Sequence, residues 1–159
     1  MSEETTAAER EAINKVHEFL KKMKLHYRFV EEDKLFIVPF ASEERRFNIL
    51  VLVRDDWVRV IGLAAKRSEL PRNLDEKEFY KLLLRLTLEL NEVTFGLTED
   101  EDIVVHAETH VSALELENFK VEFASVVFGV EYFKEKVLPN LPLLKPPDDV
   151  SRKVRSYIE

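Results

Sequence analysis

His106 and His110 stand four residues apart, and on a helix an H-x-x-x-H pair aligns two metal ligands. Here Ile103 to Thr109 alternates as a strand, where four residues span about 13 Å. Two imidazoles that far apart cannot share one zinc ion, whose nitrogen ligands lie about 2 Å from the metal. The pair reads as solvated strand histidines. The acidic run Glu99 to Asp102 suggests calcium, but such a loop needs oxygen ligands at alternating positions, a glycine at its sixth and a glutamate at its twelfth. None of these surrounds it, so the run reads as a charged hairpin tip.

There is no cysteine, hence no thiolate ligand, thiol nucleophile or disulfide framework. With only Gly62, Gly96 and Gly129, no phosphate-cradling loop can be built, and neither a G-x-S-x-G elbow nor a dinucleotide fingerprint is present. The residues thus point to no catalytic group, no metal and no cofactor. Arg152, Lys153 and Arg155 form a small basic group whose expected role is to favour the negative end of a last helix. The net charge of −7 argues against a nucleic-acid binder, whose affinity comes mainly from neutralising phosphates.

The elements that must position these residues follow from periodicity. Ala12, Ile13, Val16, Phe19, Leu20 and Met23 share one stripe of a helix over Glu4 to Lys24. The period then changes to two. Strands are expected at Tyr27 to Val30, Leu35 to Phe40, Arg46 to Val53 and Trp57 to Ala65, with a tight turn at Asp55-Asp56. Short links make them an antiparallel meander. Leu70 to Asn73 breaks the pattern, and Asp75 with Glu78 opens a second helix reaching Asn91. Its main stripe is Phe79, Leu82, Leu83, Leu86 and Leu90; Tyr80, Leu84 and Leu88 make a second apolar row. A helix apolar on two sides is packed on two sides.

Val93 to Leu97 and Ile103 to Thr109 form a hairpin, and Ser112 with Glu115 opens a third helix to Leu138. Pro139, Pro142, Pro146 and Pro147 then make a stiff connector to a short helix, Asp148 to Ile158. The fold class is α+β: an antiparallel sheet of about five to six strands with flanking helices, in the order α-β-β-β-(β)-α-β-β-α plus a short C-terminal helix. Residues 1–138 make one domain and 139–159 the connector and last helix. The 45% hydrophobic content suits a globular chain of 159 residues. No apolar run approaches the roughly 20 residues of a membrane helix, and the polar N-terminus carries no signal peptide. The expected compartment is a reducing cytoplasm. Charged residues make up 35% of the chain and glutamine is absent, a pattern of thermophiles.

Three stretches also carry a resemblance: Leu25-His26-Tyr27-Arg28-Phe29 at the end of the first helix, Leu83 to Asn91 running into Val93-Thr94-Phe95-Gly96-Leu97, and Asp102 to Val111 leading into a helix of Val, Phe and Glu. Together they resemble the YbjN family, whose fold is that of the type III secretion chaperones, over Ala12 to Val137. The connector and last helix depart from that pattern. The resemblance implies a dimer that binds another polypeptide along its sheet and helix surface.

The expected function is non-enzymatic protein or peptide binding, the alternative a small-ligand sensor or enzyme with an unrecognised pocket. Tyr80, Leu84, Leu88, Phe128 and Tyr132 are the expected dimer or partner contacts. The apolar surplus of the third helix serves either that contact or a terminal helix folding back. An antiparallel sheet also offers edge backbone to an extended chain, with apolar helix rows beside the edge to take its side chains.

Overall fold

A computed structural model describes residues 4–142. Helix α1 (Ala7–Lys22) is followed by strands β1 (Arg28–Val30), β2 (Leu35–Ala41), β3 (Arg46–Arg54) and β4 (Trp57–Ala65). Helix α2 (Glu76–Glu89), strands β5 (Thr94–Leu97) and β6 (Ile103–His110), and helix α3 (Leu116–Tyr132) complete the order. The strands form one antiparallel sheet, β1-β2-β3-β4-β6-β5. Asp55 and Asp56 both adopt positive φ, 51° and 64°, as a two-residue turn needs if its twist is to match the strands it joins.

Alternation sorts the sheet into two faces. Phe36, Val38, Ile49, Val51, Val53, Val58 and Val60 are fully buried, and Ile103, Val105 and Ala107 join them from β6. Against this face lie the stripes of α1 (Ile13, Val16, Phe19, Leu20), α2 (Phe79, Leu82, Leu83, Leu86) and α3 (Phe119, Phe123, Val126, Val130). Two glycines set how closely α3 sits on the strands. A Cβ on Gly62 would lie 2.6 Å from Val130 Cγ2, and one on Gly129 would lie 2.7 Å from Val105 Cγ1. All three helices therefore serve one face of the sheet.

The capping signals divide. Thr6 caps α1 and forms a reciprocal box with Glu9; Asp75 caps α2 by accepting from the Glu78 N–H at 3.2 Å. Ser112 does not cap α3. β6 runs on to His110, whose Nδ1 lies 3.2 Å from the Ser112 N–H and holds 111–113 in a separate 3₁₀ turn. Helix α3 starts at Leu116 instead, from Glu115, with no side-chain cap. At its far end α3 continues as a π turn, Phe133–Val137, and a 3₁₀ turn, Leu138–Asn140, which contains Pro139. Pro146, Pro147, the Asp148 to Ile158 helix and the Arg152, Lys153 and Arg155 group lie outside the described residues.

Candidate binding surface

Helix α2 buries one side only. Its second row faces outward: Leu84 is 71% exposed and Leu88 63%, while Tyr80, on the same row, is half-buried against the core. Tyr80 and Leu84 also line a groove of about 180 Å³ with Leu83, Phe95, Gly96, Leu97 and Ile103. Leu97, 51% exposed, forms its other lip. Burial pushes the Tyr80 hydroxyl above its ordinary pKa, and the charges of Glu76 and Glu101 push it the same way.

On α3, Phe128 is 51% exposed and its ring centroid lies 5.9 Å from that of Tyr132. Val121, two turns before Phe128, is also exposed. These residues make a second apolar row, on a different helix from Tyr80, Leu84 and Leu88. The structure thus joins Tyr80 and Leu84 in one groove and sets Phe128 with Tyr132 apart from them.

The sheet edges are poorly suited to take another strand. On the β5 side, the Phe95 N–H that would face a new strand donates to Thr87 Oγ1 of α2 at 3.2 Å. On the other side β1 covers only Leu35 to Ile37 of β2. Beyond it stands Pro39. The Val53 N–H donates to the Lys34 carbonyl, so even-numbered residues of β2 pair with β3 and odd-numbered ones face the edge. Proline at position 39 removes the donor there, a common way to blunt an edge strand. Edge capture of an extended chain, expected from the antiparallel pattern, is therefore not what this sheet offers.

His106 and His110 lie on the sheet face that no helix of the described residues covers. His106 Nδ1 is 2.6 Å from Glu108 Oε1, which also accepts from Arg59 Nε at 3.1 Å. His110 Nδ1 is 2.7 Å from Ser112 Oγ, and its ring meets Trp57 edge-on at 5.2 Å. Among the described residues no three His, Cys, Asp or Glu come together as a metal site would require. The acidic residues Glu99 to Asp102 form the β5–β6 turn, where Asp102 Oδ1 accepts from the Arg67 N–H at 2.7 Å.

This uncovered face is the feature that sequence reasoning passed over. Its signal was present in the strands: Leu50, Leu52 and Ile61 are apolar at positions whose neighbours are apolar too, so both faces of β3 and β4 carry hydrophobic side chains.

No protein-family model matches the chain, and no curated protein matches it in sequence. Solved structures do match. The ExsC-ExsE complex is 15% identical, with a TM-score of 0.57 over 83% of this chain and 96% of that one. The Yersinia pestis type III secretion chaperone SycH, in complex with a stable fragment of YscM2, is 11% identical, with a TM-score of 0.52 over 76% and 97%. YbjN from E. coli is 8% identical, with a TM-score of 0.55 over 77% of this chain and 90% of that one. The chain has the fold of the type III secretion chaperones and of YbjN.

Proposed function

We propose that a chain with this chaperone-like fold is a non-enzymatic module that binds another polypeptide and works as a homodimer. The observation that carries the reading is the outward row of α2. Leu84 and Leu88 stand exposed beside a groove with a third exposed leucine, Leu97, on its lip. Contiguous apolar surface of this kind marks protein contact sites, because leaving it in water costs about 25 cal/mol per Å². Phe128 and Tyr132 on α3 provide a second contact. Two of the similar structures, ExsC with ExsE and SycH with its YscM2 fragment, are complexes, which supports a polypeptide as partner. Binding requires no metal or nucleotide.

A ligand specific to the native state raises the melting temperature. Candidate peptides are expected to raise it, while nucleotides and divalent metals leave it unchanged. Stabilisation by a nucleotide or metal, with none by any peptide, would put the small-ligand sensor or enzyme in first place.

A further inference from the structure

The sheet face that no helix of the described residues covers is apolar at its centre and basic around it. Register places Leu35 opposite Leu52, Ile37 opposite Leu50, Leu50 opposite Ile61, and Ile61 opposite His106, with Val104 opposite Leu63. These side chains share the face and are only half-buried, and Leu63 is exposed. The charged residues of the strands on the same face are Arg28, Arg46, Arg54, Arg59 and Glu108. A chain of net charge −7 therefore shows, on one sheet face, four arginines and a single glutamate.

That glutamate is already occupied by Arg59 and His106. Among the described residues Arg28 and Arg46 form no ion pair, and Arg54 reaches only its exposed neighbour Asp55, at 3.8 Å. Arg46 also lines a recess of about 450 Å³ with Pro39, Phe40, Ala41, Phe47 and Asn48, at the hairpin end of β2 and β3 where both sheet faces meet. The aliphatic centre suits side chains of a polypeptide. A single-stranded nucleic acid would want aromatic platforms across the centre for its bases, and here the aromatic residue, Trp57, stands at the end of the face beside the β3–β4 turn.

We propose that this face is the seat of the partner segment, and that the segment is acidic and apolar, with leucine- or isoleucine-like side chains on the centre and carboxylates toward Arg28, Arg46 and Arg54. The proposal rests on the reading of the chain as a polypeptide binder and names the surface and the partner's chemistry. Charge complementarity of this kind governs which partner is accepted more than how tightly.

Trp57 is the chain's only tryptophan and lies on this face, 45% exposed, so its emission reports occupation here and not at α2. Six strands spaced about 4.8 Å apart span about 24 Å, which an extended synthetic peptide of about eight residues crosses. Three such peptides would be titrated in low salt: one mixing glutamate with leucine and isoleucine, one with lysine for each glutamate, and one with glutamine. A poly-uridine strand serves as a fourth arm. The glutamate peptide should shift Trp57 emission and bind about tenfold more tightly than the lysine peptide, with the difference shrinking as salt is added. Combining Arg28→Glu, Arg46→Glu and Arg54→Glu, all exposed positions, should reverse the order, with far-UV dichroism confirming the fold.

Equal binding of the three peptides would overturn the proposal, as would a Trp57 response to the RNA strand alone. Peptide binding that leaves Trp57 emission unchanged and is lost on Leu84→Lys would overturn the sheet-face seat while sparing the polypeptide-binding reading. Binding of no peptide at all would overturn both.

Discussion

Glu9 and Lys34 meet inside the protein, both nearly inaccessible, with Lys34 Nζ 3.1 and 3.2 Å from the two carboxylate oxygens. Such a pair contributes little relative to apolar residues, but removing one partner strands the other charge out of water. Glu9→Met or Lys34→Met alone should each cost about 3–5 kcal/mol in urea unfolding, and the double variant less than their sum. Burial pushes the Glu9 carboxyl up, but bonds from the Thr6 N–H and Lys34 outweigh it and hold its pKa below the ordinary value. Its contribution is full above the ordinary carboxyl range and is lost as pH falls through the lowered value.

Glu122 behaves oppositely. Burial against β6 raises its pKa, the nearby Glu92 and Glu108 raise it further, and the bonds from Thr109 and Asn118 offset this only in part. Its native carboxyl keeps its proton to higher pH than the unfolded one. The resulting stability is full below the ordinary carboxyl range and is lost as pH rises through the raised value. Glu122→Gln should therefore raise the melting temperature at neutral pH by a few degrees and flatten its decline from mildly acidic to neutral pH, read from melts across a pH series.

At the scale of elements, the same capping spacing had two outcomes. Asp75 and Ser112 each stand three residues before a glutamate and near an apolar run. Only Asp75 caps a helix, because Ser112 is claimed by His110 at the end of β6. Asp75→Ala should cost about 1 kcal/mol in chemical denaturation, and Ser112→Ala less. An equal or larger loss at Ser112 would contradict the cap assignment. Helix α2 shows the converse case. Its two apolar rows were plain from spacing, yet only the Phe79–Leu86 row is buried, since β5 and Phe133 of the π turn after α3 reach it from one side.

Among the described residues, the consequence is apolar surface left over: Leu84 and Leu88 of α2, Phe128 of α3, and the sheet face that none of these helices covers. The dimer reading predicts that light scattering at micromolar concentration gives twice the chain mass, and that Leu84→Lys with Leu88→Lys gives a folded monomer. A wild-type monomer would refute it. Sequence by itself determined the α+β class, the strand order along the chain, the antiparallel meander and the core stripes, because period-two and helical spacing are local properties that burial must respect. It also exposed the candidate contacts Tyr80, Leu84, Leu88, Phe128 and Tyr132 as apolar residues in excess of one stripe. What tertiary structure alone decided was which excess stays in water. Both faces of β3 and β4 read as apolar, and nothing local says that all three helices pack on one of them. Nor does spacing along the chain show that Arg28, Arg46, Arg54 and Arg59, on three different strands, share a face. That follows from register, which pairs residues distant in sequence.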